Sequence, residues 1–248
     1  MLLHVNWPQY FPALLQALGR TVEFTLAGLV GSVLLGMALA LMRVAPVGAT
    51  RTSAAAYTEI IKNLPLLALI FIIYYGLASV GLVLGAFVAG ALALSLFYGA
   101  YLSEIFRAGL LGVSRGQREA AQSLGLRGWQ VTAYVVLPQA LRLALPGTAT
   151  MFVDLLKSTS LLVTIAGAEL MTEGQIITSV TFEALEVYVV IGLIYFALCY
   201  PLSQGVLWCE RQLRRGAPFS PRRRRLLRKV ETMLERPSPR MPLHSEGS

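Results

Sequence analysis

From Leu64 to Ser103 the chain runs for 40 residues without an Asp, Glu, Lys or Arg. At a rise of about 1.5 Å per residue, a helix of that length is too long for one crossing of a ~30 Å hydrocarbon layer and right for two. The reversal is expected near residues 79–85, where Ser and Gly cluster. Phe24 to Met42 adds 19 uncharged residues, and Val187 to Cys209 is a further uncharged run. Leu143 to Ala168 is apolar but interrupted by Asp154 and Lys157. The pattern predicts an all-α integral membrane protein with about five transmembrane helices. A composition of 56% hydrophobic and 14% charged residues lies outside the balance of water-soluble domains.

Charge sets the expected orientation. The loops 43–62 and 104–142 and the C-terminal tail hold nearly all the Lys and Arg, whereas the connection 169–186 carries Glu169, Glu173, Glu183 and Glu186 and no base. The positive-inside rule then puts the basic loops and the C-terminus in the cytoplasm, and the acidic connection and the N-terminus outside. From Arg211 onward there are 11 basic and 3 acidic residues, against 10 and 10 in the preceding 210, so the net charge of +8 belongs to the tail. That excess points to anionic lipid rather than to nucleic acid. Three regions follow. Residues 1–20 form an extracytoplasmic segment at the membrane surface, 21–213 the spanning domain, and 214–248 a basic tail whose Pro, Ser and Arg content predicts disorder. The N-terminus lacks a basic region ahead of an apolar core, so no cleavable signal is expected. Cys199 and Cys209 have no metal-ligand spacing and read as reduced apolar residues.

Between the spans lies a polar segment, Arg118 to Pro138. Gly116 to Leu124 is rich in good helix formers. Gly125 suits the left-handed position past a helix end. Gly128 and Trp129 open a second helical run that Pro138 is expected to interrupt. Ala120, Ala121 and Leu124 fall on one side of the first helix. Their small side chains would let a partner's surface approach, with Glu119 as the acid available to a partner's Arg or Lys. Glu119-Ala120-Ala121, three residues, Gly125, nine residues, Val135, one residue and Leu137-Pro138 fix seven positions over twenty residues.

That pattern resembles the EAA loop by which the membrane subunits of ABC importers dock onto their ATP-hydrolysing partners. Residues 14–213 resemble the polar amino-acid uptake family of ABC permeases. The similar stretches are Thr21–Leu26, Tyr57–Leu67, Ile73–Leu77, Gly99–Gly109, Gly116–Ala140, Leu155–Leu161 and Glu169-Leu170. The resemblance implies a type I importer (MetI-like) fold with a cytoplasmic coupling-helix loop, in a bacterial inner membrane. It implies that Glu119, Ala120, Ala121, Gly125, Leu137 and Pro138 form the ATPase-docking loop. The implied partners are two ATPase subunits, a second permease subunit (identical or not) and an extracytoplasmic solute-binding protein. The implied cargo is an amino acid, polar or charged, moved by alternating access. ATP and Mg²⁺ would reside on the ATPase, since the chain has no G-x-x-x-x-G-K-[ST] phosphate loop of its own. Two positions depart from the family pattern: Leu64 replaces the usual Thr before Pro65, and Thr150 replaces a usual Asn.

Asp154 and Lys157 carry charge inside an apparent span, where ionisable groups are costly and mark pathways by default. With Thr150 they form a polar strip, whose Asp suits the ammonium of an amino acid or a cationic side chain, or they pair with each other at i, i+3. Glu59 with Lys62, and Glu104 with Arg107, read as structural pairs at the membrane boundary. Pro65 and Pro146 are expected to bend or start helices. Gly28, Gly31, Gly36, Gly85 and Gly90 are expected to allow close helix packing. The Glu169–Glu186 connection reads either as a solvated loop or as a surface attracting a basic patch. His4 and His244 have no partner spacing. A stand-alone secondary transporter or channel is the alternative, but no clear internal repeat supports it. No catalytic cluster supports a membrane enzyme, so the chain reads as a transport subunit without catalytic residues or metal. Orientation is directly testable: a reporter after Ser248 is expected to be cytoplasmic, and one near Thr178 extracytoplasmic. The reverse pattern at both sites would invert the topology.

Overall fold

The computed structural model describes residues 5–216, apart from the side chains of Cys209 and of residues 212–216. The tail from residue 217 lies outside these, as does its expected disorder. By contacts the chain divides into residues 1–210 and a second unit from Arg211 onward. The first unit is built from α-helices: α1 Trp7–Val44, α2 Gly48–Lys62, α3 Leu66–Ser79, α4 Ala86–Gly112, α5 Arg115–Ser123, α6 Gly128–Ile165, α7 Leu170–Thr181 and α8 Ala184–Trp208. Four helices (α1, α4, α6 and α8) are each long and apolar enough to cross a membrane; α2 and α3 pass the same test only as a pair, bent by 106° at a short break.

The expected second span therefore differs from a plain helix. The apolar run begins at Leu64, but the crossing begins within the segment expected to be a loop. α2 occupies residues 48–62, and α3 adds only 14 residues beyond the break. Pro65 starts α3 as its N-cap, in extended backbone. The reversal falls at residues 80–85, as the Ser and Gly cluster predicts. Residues 7–19, expected as a separate surface segment, are the first turns of α1. Pro138 does not interrupt its helix. A π-helical segment, Val131–Val136, precedes it, and Pro138 falls at the second residue of the regular helix that follows. Its missing N–H therefore sits where little is lost. Pro146 also lies within the helix.

α4 is the central helix. Its buried residues include Ala89, Ala93, Leu94, Ala100, Leu102, Phe106 and Leu110. α1 runs parallel to it, since Phe24 stacks near Phe87 with ring centroids 4.8 Å apart and Arg43 meets Glu104 at the other end. α3 packs Leu66, Leu69, Ile70 and Ile73 into the same core. α6 returns antiparallel, placing Ala140 and Ala144 near Phe106 and Leu110, and Leu155 near Leu94. α8 lies outermost: Val187, Ile191 and Cys199 face inward, while Leu193 and Phe196 are exposed to the surroundings, as a lipid-facing surface requires.

The seam between α1 and α4 depends on small residues. A Cβ on Gly36 would sit 2.8 Å from the Leu102 Cβ and 3.0 Å from the Gly99 carbonyl oxygen. Ser32 and Ser95 line the same seam, each donating within its own helix, to the Gly28 carbonyl at 2.5 Å and the Ala91 carbonyl at 2.6 Å, with the hydroxyl oxygen 3.4 Å from a carbonyl of the other helix. Gly85 differs from expectation, because it caps α4 and a Cβ there would meet nothing. Gly36→Leu is expected to cost about 1–3 kcal/mol through overpacking. The measurement is thermal unfolding of the detergent-purified protein against Gly85→Ala, which is expected to be neutral.

Candidate functional site

The polar segment folds as a helix, a tight turn and a second helix. α5 ends in paired reverse hydrogen bonds: the Gly125 N–H donates to the Gln122 carbonyl at 2.9 Å, and the Leu126 N–H to the Ala121 carbonyl at 3.3 Å. Gly125 has φ +82, the left-handed conformation that this ending requires. Leu126 and Ala121 share one apolar cluster with Phe106, Leu110, Val113, Val131 and Val136. The next helix opens with the Gln130 side chain accepting from the Arg127 N–H at 2.8 Å.

This arrangement divides the expected docking residues. Ala121 is buried against its own chain, because the reversed turn folds that face of α5 onto α4 and α6. Leu137 is half-buried and Pro138 exposed. Glu119, Ala120 and Gly125 are exposed. The outward surface is completed by Leu124 (84% exposed), Trp129 (61%) and Tyr134 (66%). Of these three, the sequence reading had placed only Leu124 on the partner face. Glu119 pairs with Arg115 at 2.9 Å, both largely exposed, so the pair is weak and exchangeable. Arg118 donates from Nη2 to the Leu110 carbonyl, tying α5 to the last turns of α4.

Near the same end, Glu104 gathers three cations. Its Oε1 lies 2.6 Å from the Arg43 Nη1 and 4.0 Å from the Lys62 Nζ, and its Oε2 lies 3.0 Å from the Arg107 Nη2. The expected Glu104–Arg107 pair is thus one contact of a larger group. Glu59 instead accepts from the Asn63 side chain at 3.1 Å.

Thr150, Asp154 and Lys157 do share a surface. With Val153, Ser203, Val206 and Leu207 they line a groove of about 240 Å³ between α6 and α8. Asp154 and Lys157 also pair with each other at 3.7 Å while staying about half exposed. Thr150 spends its hydroxyl proton on the Pro146 carbonyl at 3.1 Å. No group of metal-ligating side chains occurs among the described residues.

The opposite end holds a site the sequence reading missed. Glu169, read there as part of an exposed acidic connection, is 0% exposed. It caps α7, accepting from the Thr172 N–H at 2.8 Å and the Met171 N–H at 2.9 Å. Tyr195 of α8 donates to it at 2.6 Å, and the Leu170 N–H donates to Thr21 of α1 at 3.1 Å. Two of the family-like stretches, Thr21–Leu26 and Glu169-Leu170, therefore meet in space. Leu170 directly after Glu169, opening an apolar helix, was the available signal. A cavity of about 410 Å³ lies beside it, lined in part by Gln16, Arg20, Thr172 and Glu173. Burial pushes the Glu169 carboxyl above its usual range, against the hydrogen bonds that lower it.

Comparison with known proteins agrees with this geometry. Residues 32–215 match the family of binding-protein-dependent transport system inner membrane components, and the chain belongs to that family. A probable glutamine ABC transporter permease protein, GlnM of Bacillus subtilis, is 37% identical over 79% of this chain and 91% of that protein. A probable amino-acid ABC transporter permease protein, PatM of Vibrio harveyi, is 35% identical over 84% and 95%. The crystal structure of an amino acid ABC transporter with histidines superposes with a TM-score of 0.77 at 34% identity, over 85% of this chain and 100% of that one.

Glu169→Ala leaves Tyr195 and two backbone N–H groups without their acceptor, and is expected to cost about 1–3 kcal/mol. Glu169→Gln is expected to be milder. A raised carboxyl pKa gives stability that is full below the ordinary carboxylate range and is lost as pH rises through the raised value. Melting curves against pH for the native chain and Glu169→Gln check this; the variant is expected to lack that slope.

Proposed function

We propose that this chain is the membrane-spanning subunit of an ATP-driven importer, carrying an amino acid, polar or charged, by alternating access. The observation that carries the reading is the α5 turn: a motif of docking type, folded into an exposed knob and anchored to the central helix behind it. In this reading two ATPase subunits, holding ATP and Mg²⁺, dock on Glu119, Ala120, Leu124, Trp129 and Tyr134. A second permease subunit completes the pathway, and an extracytoplasmic solute-binding protein delivers the cargo. The relatives named for glutamine and amino-acid transport support the substrate class. The end bearing α5 then faces the cytoplasm and the end bearing Glu169 faces outward, with the N-terminus outside and the C-terminus inside, in a bacterial inner membrane.

The mechanism follows from rigid connection. Closure of the ATPase pair displaces α5. Its buried face and the Arg118 tie pass that motion to α4, the helix on which α1, α3 and α6 pack. The strip Thr150, Asp154 and Lys157 offers an amino acid both a carboxylate and an ammonium, once the mutual pair opens. Such a shift needs differential contacts in two states, which the ATP-bound and ATP-free partners supply.

Co-purification of the ATPase with variants, together with uptake in vesicles, tests the docking reading. Gly125→Val is expected to lose ATPase binding, because a β-branched residue is disfavoured at φ +82 by about 1–2 kcal/mol. Gly125→Asn is expected to retain it, since Asn tolerates that conformation and the space is open. Glu119→Lys, which turns the i, i+4 attraction to Arg115 into repulsion, is expected to weaken binding while membrane insertion stays normal. Full ATPase binding and uptake in Gly125→Val and Glu119→Lys would refute the docking role.

A further inference from the structure

We propose that Glu104 and Lys62 form a joint that carries the motion of α5 into the broken crossing, so that α2 moves with α4 while α3 slides. The inference rests on the docking reading of α5 and goes beyond it, to how the movement is divided inside the bundle.

The two halves of the broken crossing are held to α4 by different physics. α2 adds directional polar contacts to the apolar packing of Ile61. The Tyr57 hydroxyl donates to the Leu96 carbonyl at 3.1 Å, the Thr58 and Ser103 hydroxyls are 3.2 Å apart, and the Tyr101 hydroxyl donates to the Lys62 carbonyl at 3.3 Å. Lys62 then places its ammonium at Glu104. Hydrogen bonds of this kind fix register along α4 and resist sliding. α3 has a different footing. Leu66, Leu69, Ile70 and Ile73 pack among Ala89, Ala93, Leu94 and Tyr98 of α4, and apolar contact of that kind is non-directional. The change from one footing to the other falls at the 106° break.

The break itself is built to bend. Lys62 is the last residue of α2, and Asn63 closes that end through its side chain on the Glu59 carbonyl at 2.7 Å. Pro65 caps α3 without an N–H to give. Residues 63–65 therefore separate two helices without a continuous backbone ladder.

Glu104 stands where the two movements meet. It lies six residues, about 9 Å along the helix axis, from Leu110, whose carbonyl anchors Arg118 of α5. Its three cations come from the end of α1, the end of α2 and its own helix. Arg43 is close, and Lys62, at the outer limit of an ion pair, adds its charge to the hydroxyl contacts that hold α2 on α4.

The test uses the full complex with its ATPase and binding protein in vesicles, reading ATPase co-purification, ATP hydrolysis and uptake separately. Lys62 is partly exposed at the rim, so Lys62→Met is expected to fold and to bind the ATPase normally. Uptake per ATP hydrolysed is expected to fall ~3- to 10-fold, within the range by which residues away from both sites alter coupling. Lys62→Arg is expected to restore it. Glu104→Gln is expected to lower the same ratio further. Unchanged uptake per ATP in Lys62→Met, or no recovery in Lys62→Arg, would overturn the joint. A parallel fall in ATPase co-purification and melting temperature would reduce Lys62 to a brace and overturn it too. Failure of the unsubstituted chain to hold the ATPase would instead remove the docking reading itself, so the two failures are distinguishable.

Discussion

The close parallel approach of α1 and α4 is the contact on which the rest of the bundle depends. In hydrocarbon, apolar surface gains little from meeting apolar surface, so helices associate through tight packing and hydrogen bonds between them. Gly36 lets the α1 backbone reach Leu102 and the Gly99 carbonyl, and Ser32 and Ser95, whose protons stay within their own helices, fill the seam without leaving a polar group unsatisfied. Two parallel neighbours require an intervening crossing in the other direction. That return path is α2–α3, laid along the flank of α4 rather than run straight. The bend thus follows from the seam: α2 follows one half of α4 through polar contacts, and α3 follows the other through apolar ones.

Irregular backbone in a membrane persists only where its freed polar groups are satisfied. The π segment before Pro138 shows how this is done. The Gln139 side chain donates to the Val135 carbonyl at 2.8 Å, giving that oxygen a partner in the distorted turn. The other π segment, Ile72–Gly76, lies in α3, where the Tyr75 hydroxyl reaches the Thr164 carbonyl at 3.4 Å. Among the described residues the π-helical distortion thus lies in α3 and in the helix leaving the α5 turn.

Much of this was legible in the sequence because it rests on local chemistry. Uncharged runs gave the spans, and the left-handed turn at Gly125 followed from a glycine after nine helix-forming residues. What escaped was set by partners distant in the chain. Ala121 reads as an exposed small residue until Phe106 and Val131 are known to cover it. Lys62 reads as the end of a loop because α2, rich in Thr, Ser and Ala, has little apolar character of its own. Only packing against α4 makes it part of a crossing. Glu169 was misplaced for the same reason: four acids in a row of polar residues look solvated, yet one of them is claimed by Tyr195, 26 residues away.

Glu104 and Glu169 solve one problem in opposite ways, and the difference fits their positions. Each is a carboxylate at an end of the bundle: Glu104 joins α1, α2 and α4, and Glu169 joins α7 to α8. Glu104 is matched by three cations and remains partly exposed, so its partners exchange at little cost. Glu169 is matched by neutral donors alone, two backbone N–H groups and the hydroxyls of Tyr195 and Thr172, and is wholly buried. Those donors are short and fixed in direction, so releasing one leaves a buried group unsatisfied. A cationic cluster at a partly exposed rim suits a place where α1, α2 and α4 are joined as one unit. A closed hydrogen-bond cage suits a place where α1, α7 and α8 must hold station. Charge thus holds the bundle at the end bearing α5, and neutral hydrogen bonds hold it at the end bearing Glu169.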